Sequence, residues 1–205
     1  MIKNIVFDMG NILFTWSPSE NIRRLGYTGQ DAEVLETEVF LTPEWCSMDR
    51  GTLKPAQVAR ILAQRVPEHL QAAVEPLICH WWEGDLMPTP GIGDLIQELK
   101  AGGYGIYLLS NANLALRSYF PRIPGSECFD GLMVSAEEKL LKPNPEIFRT
   151  LLERFGLEAE RCFFVDDSPA NVEGAMSVGL SGCVFKGDTQ ALRRKLRSAG
   201  IRCAE

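Results

Sequence analysis

Four short segments of this chain carry side chains suited to chemistry. The apolar run Ile5-Val6-Phe7 leads straight into Asp8, and Gly10 lets the backbone turn tightly beside that carboxylate. Leu108-Leu109 leads into Ser110-Asn111, Phe163-Phe164-Val165 leads into the pair Asp166-Asp167, and Lys142 follows a weaker apolar run. Taken singly, each has an ordinary explanation. Asp8, Ser110 and Asn111 are turn formers, Asp166-Asp167 is negative charge favoured at a helix N-terminus, and Lys142 is a solvated cation. Taken together, carboxylates, a hydroxyl, an amide and an ammonium are the groups that metal-assisted phosphoryl transfer requires. That chemistry needs them all in one place, and the elements between them decide whether one exists.

The intervening pattern alternates strand and helix. Ile92, Leu95, Ile96 and Leu99 make an amphipathic helix that Gly102 and Gly103 end, and Gly105–Leu109 reads as a buried strand. Residues 131–135 form a weaker strand. Ile147, Leu151 and Phe155 repeat at four-residue spacing in a helix closed by Gly156, and Cys162–Val165 is again fully apolar. Ser168-Pro169 supplies the start signals of a helix that Gly179 ends; a last strand over 182–185 and an Asp188-capped helix follow. Buried strands alternating with helices pair in parallel through crossover connections, so the expected fold is α/β, a doubly wound parallel sheet with helices on both faces. In such a sheet the strand C-termini share one rim, where Asp8, Ser110-Asn111 and Asp166-Asp167 should meet, with Lys142 in reach.

The segment 16–86 differs in character. It shows helical spacing at Val58, Ile61 and Leu62 after Pro55, and from Leu70 to Trp81 after Pro67, with Pro76 expected to kink or divide that run. It reads as a helical unit inserted after the first strand, which leaves 1–15 and 87–205 for the α/β core. Trp45, Met48, Asp49, Arg50 and Gly51 are expected on a loop between two of its helices.

Composition narrows the function classes. With 45% hydrophobic and 23% charged residues among 205, the chain is of the ordinary globular kind. A net charge of -6 and a pI near 5.1 argue against nucleic acid or an anionic membrane as partner, so an anionic substrate needs a local positive site. No stretch approaches a transmembrane span, Met1 leads directly into a strand without the pattern of a signal peptide, and the six cysteines contain no Cys-x-x-Cys pair. These features predict reduced thiols and a cytoplasmic protein.

The segments FDMGN with Asp8, LLSNAN with Ser110, KPNPEIF with Lys142 and FFVDDSPANVEGA with Asp166 and Asp167, in this order, closely resemble the motifs of the haloacid dehalogenase superfamily. The resemblance covers essentially the whole chain and is nearest to the branch with a helical cap after the first strand, which includes phosphatases similar to bacterial α-glucose-1-phosphate phosphatase. It implies a Rossmann-like core and a hydrolase acting on a small phosphorylated metabolite, a sugar phosphate among the candidates, through an aspartyl-phosphate on Asp8. It further implies that Ser110, Asn111 and Lys142 bind the phosphoryl group, that Lys142 also serves catalysis, and that Asp8, the Gly10 carbonyl and Asp167 ligate Mg²⁺, with Asp166 behind them. The chemistry is consistent: an ionised carboxylate needs no activating base, and hard oxygen ligands suit Mg²⁺. From the insertion, Trp45, Met48, Asp49 and Arg50 are candidate substrate contacts.

Gly10 departs from the family pattern, in which a second Asp at that position acts as general acid and base, a contribution of about 10² to 10⁴ in rate. Asp49 of the insertion is one alternative proton source. Two other readings are a dehalogenase, disfavoured by the acidic pair and by the lack of an aromatic residue at position 10, and a silent ligand-binding module, which the vacancy at position 10 keeps open.

Overall fold

Five strands form one parallel sheet in a computed structural model that describes residues 1–84 and 86–204. They are β1 (Asn4–Phe7), β2 (Gly105–Ser110), β3 (Gly131–Val134), β4 (Cys162–Asp166) and β5 (Ser181–Val184), in spatial order β3-β2-β1-β4-β5. The strand that opens the chain is therefore central, with Phe7 level with Leu108 on one side and Val165 on the other. Its side chains alternate between two cores. Ile5 and Phe7 pack with Ile92, Leu95, Leu192 and Leu196 of helices Ile92–Ala101 and Thr189–Ser198. Val6 packs on the other face with Ile147, Phe148 and Val172 of helices Pro145–Phe155 and Pro169–Met176. Burial on both faces explains why β4 reads as a continuous apolar run, since all five of its residues are buried.

Several helix ends follow local rules. Asp188 accepts from the Gln190 and Ala191 N–H groups, and Gly156 closes its helix in the left-handed region at φ 63°. Ser168 occupies the expected N-cap position, but its side chain makes no capping bond; the Asp166 carboxylate accepts the Ser168 N–H at 2.9 Å instead. Several strand boundaries move by one residue: β2 extends to Ser110 and β4 to Asp166, β3 stops at Val134 because Ser135 opens a short helix, Ser135–Glu138, and β5 runs Ser181–Val184 rather than 182–185.

Between β1 and β2 the described residues contain no strand. Helices Pro18–Arg24, Gly29–Leu35, Pro43–Asp49, Pro55–Ala63 and Gln71–Glu75 enclose a separate apolar cluster that includes Ile22, Leu35, Met48, Leu62, Val74 and Ile78. At Pro76 the α-helix gives way to a π-type stretch, Pro76–His80, because proline has no N–H for the α-helical ladder. The loop expected from Trp45 to Gly51 is instead helical through Asp49. Thr42 Oγ1 accepts from the Trp45 N–H, and Pro43 sits in the first turn, a start signal that the expectation overlooked.

One close approach fixes the loop that carries Lys142. A Cβ on Gly174 would lie 2.4 Å from the Pro143 carbonyl oxygen, so helix Pro169–Met176 can pack this tightly only with glycine there. Gly174→Ala is expected to destabilise the fold by about 1–3 kcal/mol. Its urea midpoint should fall with little change in m; an unchanged midpoint would show that the loop yields without cost.

Candidate active site

The rim of the sheet is built around the Lys142 ammonium. Its Nζ lies 2.8 Å from Asp8 Oδ1 and 2.7 Å from Asp166 Oδ2, and it donates to the Leu109 carbonyl at 2.9 Å, which uses all three protons. Nζ also stands 5.4 Å from the Phe164 ring centroid. The lysine backbone is clamped as well: the Lys142 N–H donates to Asn111 Oδ1 at 2.9 Å, and Asn111 Nδ2 donates to the Lys142 carbonyl at 3.0 Å. The Asn111 amide, expected to face a phosphoryl group, thus spends its oxygen and one N–H on the lysine loop.

The three aspartates have different surroundings. Asp8 follows β1, its N–H donating to the Val165 carbonyl at 2.9 Å, so the ladder continues one residue and aims the carboxyl over the rim. Asp166 is fully buried and accepts from Lys142, from the Ser168 N–H, and from Asn171 Nδ2 at 2.9 and 3.1 Å. Asp167 is half-buried and accepts from Asn11 Nδ2 at 2.9 Å, while Asn11 Oδ1 takes the Trp16 N–H at 3.0 Å. Asn11 adopts a left-handed φ of 57°, which Asn tolerates better than most residues. One oxygen from each of Asp8, Asp166 and Asp167 falls within a group spanning 4.8 Å.

Three carboxylates around one ammonium leave local negative charge unbalanced. Burial pushes the Asp8 carboxyl up to about 6; Lys142 pulls it back and Asp166 pushes it further. Burial acts to lower Lys142, but Asp8 and Asp166 outweigh it and hold the ammonium above its ordinary range. Clustered carboxylate oxygens beside the glycine backbone are a donor set that fits a hard divalent cation.

Above this rim lies a cavity of about 240 Å³. Asp8, Gly10, Ser110, Asn111, Lys142 and Asp167 line it, and Asp166 does not. The opposite wall is aromatic, with Phe14, Trp16, Trp45, Trp81 and Tyr119, and contains Asp49 and Asn113. Of the four insertion candidates, Trp45 and Asp49 reach the cavity. Met48 is buried in the helical cluster, and Arg50 is exposed away from the cavity. Burial pushes the Asp49 carboxyl up to about 8, against hydrogen bonds from the Trp45 side chain and the Asn113 backbone.

Sequence reasoning missed Asn11, Asn113 and Asn171, although all three lie inside the quoted motifs, three residues after Asp8, three after Ser110 and five after Asp166. It also missed Phe14, Trp16, Trp81 and Tyr119, whose inward direction no local spacing reveals.

A parallel sheet with this cluster of Asp and Lys side chains along its rim agrees with the family comparison: residues 2–179 match the haloacid dehalogenase-like hydrolase model, and the chain belongs to that family of hydrolases. Among curated relatives, it is 27% identical over 189 residues to the sesquiterpene phosphatase astK of Aspergillus oryzae, covering 88% of each chain. Protein CbbY of Cereibacter sphaeroides is 25% identical over 200 residues, covering 91% of this chain and 85% of that one. Among solved structures, the family enzyme bt-2542 of Bacteroides thetaiotaomicron, in complex with magnesium and inorganic phosphate, superposes with a TM-score of 0.66 at 26% identity, covering 94% and 99% of the two chains. No helix among the described residues is long and apolar enough to cross a membrane.

Two expectations follow. Lys142→Ala leaves buried carboxylates without their cation and should cost about 3–5 kcal/mol in urea denaturation, whereas Asp8→Asn keeps the Lys142–Asp166 pair and should cost far less. The sign of the pH effect is also fixed. Asp8 titrates near 6 when folded, above its unfolded value of 3.8, so acidification through that interval favours the metal-free fold at this group. A cation binding at this carboxylate would have to displace the proton, so its affinity should fall up to about tenfold per pH unit below about 6 and level off above. Calorimetric Mg²⁺ titrations across that range test this, and a flat profile contradicts it.

Proposed function

We propose that this hydrolase is a Mg²⁺-dependent phosphatase that cleaves a small phosphorylated metabolite through an aspartyl-phosphate on Asp8, with 16–86 as the cap that closes over the core. The observation that carries this reading is the shared cavity. Asp8 enters it beside Lys142, Ser110 and Asp167, while Asp166 stays behind, paired with the lysine. In this reading Asp8 attacks phosphorus and the leaving oxygen departs toward the aromatic wall. Ser110 Oγ and Lys142 hold phosphoryl oxygens, and water later attacks the same phosphorus to release phosphate and restore the carboxylate. Asp166 positions Lys142, and Asn11 orients Asp167. Held by Asp8, the Gly10 carbonyl and Asp167, Mg²⁺ would neutralise charge as it redistributes over the phosphoryl group.

A charge count supports the cation. Three carboxylates and a phosphate dianion face one ammonium, an imbalance that a divalent ion halves. The magnesium and phosphate in the bt-2542 complex and the phosphatase name of the astK relative support the same chemistry. The acidic cluster is also what disfavours halide displacement from carbon. The five aromatic residues suit a leaving group with an apolar or flat face, which a sugar ring or a hydrocarbon alcohol can both offer.

Assay of a panel of phosphorylated metabolites, with and without Mg²⁺, tests the proposal. Phosphate release should disappear on chelation, and Asp8→Asn should abolish turnover because an amide cannot attack phosphorus. Release that survives exhaustive chelation, or wild-type turnover by Asp8→Asn, overturns it.

A further inference from the structure

Resting on that reading, we propose that Asp49, at the end of insertion helix Pro43–Asp49, is the proton-transfer residue of the reaction, donating to the leaving oxygen and then accepting from the attacking water. The need arises at position 10. Gly10 has no side chain, so the loop after the nucleophile supplies neither acid nor base. Among the described residues lining the cavity, the carboxylates are Asp8, Asp49 and Asp167. Asp8 is the nucleophile in this reading, and Asp167 is engaged by Asn11 and the cation. Lys142 has all three protons in use, and burial drives the Tyr119 phenol far above its ordinary range. Asp49 remains.

Its placement suits the task. The Asp49 carboxyl accepts from the Trp45 side chain, one helical turn earlier, and from the Asn113 backbone, three residues beyond Ser110. The Asp49 carbonyl accepts from Ser135 Oγ at 2.5 Å, and the same Oγ accepts the Ala112 N–H at 2.9 Å. One network therefore ties this carboxyl to the loop that follows the phosphate-binding serine, and it is complete only when the insertion is seated on the core. Lys139, which bonds the Gly51 carbonyl, adds a second tie. The ionisable groups around the carboxyl are Tyr119 beside it and Asp8, Asp167 and Lys142 elsewhere on the cavity wall, and burial pushes the carboxyl up to about 8.

The steps balance. As Asp8 Oδ bonds to phosphorus and the bond from phosphorus to the leaving oxygen breaks, the Asp49 proton passes to that oxygen. This gives a neutral alcohol, the aspartyl-phosphate and an Asp49 carboxylate. Water then attacks phosphorus, the bond to Asp8 breaks, and the water proton returns to Asp49.

The experiment compares a simple alkyl phosphate with 4-nitrophenyl phosphate, whose leaving group needs no proton, in rapid-mixing assays of the Mg²⁺-loaded protein. Asp49→Asn should slow first-turnover release of the alcohol by about 10²–10⁴-fold. First-turnover release of nitrophenolate should stay within about tenfold of wild type while the phosphoenzyme accumulates for want of a base. Gly10→Asp in the same chain should restore part of the alkyl rate, since a Cβ there meets only Trp16 Cβ at an ordinary 3.6 Å. Equal losses with both substrates, or no loss with either, overturn the assignment of Asp49 while leaving the phosphatase reading intact. A wild-type chain inert toward both these substrates and the metabolite panel overturns that reading and this inference together. If Asp49→Asn does not fold, wild-type kcat/KM decides. The alkyl rate should fall as pH rises through about 8 and the nitrophenyl rate should not; the same profile for both contradicts the proposal.

Discussion

The Lys142 ammonium, buried between Asp8 and Asp166, is the constraint on which the rest of the rim depends. A charge taken out of water costs several kcal/mol unless its partners surround it, and here they are supplied by three separate segments of chain. Asp8 comes from the end of β1, the Leu109 carbonyl from β2 and Asp166 from β4. β1 pairs with both other strands, so the ion pair is set up by the sheet itself. Asn111 and Gly174 then fix the lysine loop from above and below, one by a pair of hydrogen bonds and the other by leaving room. Remove Asp8 or Asp166 and the buried ammonium loses a partner; remove Lys142 and the carboxylates lose theirs.

This arrangement divides labour among carboxylates that look alike. Asp166 is saturated by Lys142, Ser168 and Asn171, so it shapes the site without facing the cavity. Asp167, one residue later, turns the other way and is held by Asn11. Asp8 keeps an edge on the cavity and a raised pKa, because burial disfavours its charged form more than Lys142 restores it.

The aromatic wall joins the two hydrophobic cores. Trp16 packs 4.3 Å from Trp81 and 5.8 Å from both Phe40 and Trp45, and Trp81 continues to Phe14 and Tyr119. Residues of the helical segment 16–86 and residues packed on the sheet therefore share one layer, and it lines the same cavity as Asp8 and Lys142. The indole N–H groups of Trp81 and Trp82 are buried without an acceptor, a local cost within this layer.

The alternation of elements, both faces of the sheet, the helical character of the segment after the first strand and the carboxylates at strand ends were legible from the chain itself. These rest on local physics: periodicity of apolar residues, capping residues, and glycines that end helices. Even the helix missed at Trp45–Asp49 carried its signal in Thr42-Pro43. Trp45 and Asp49, four residues apart on that helix, share a face and both line the cavity, whereas Met48 is buried in the helical cluster. What only the tertiary structure decided is which distant groups satisfy one another. It set the strand order, and the pairing of Lys142 with two aspartates, the Asn11–Asp167 bond and the tie from Asp49 to the Ser110 loop join residues from 24 to 156 positions apart. No local pattern encodes such partners, because a buried polar group takes whichever complementary group the packed elements bring within hydrogen-bond reach.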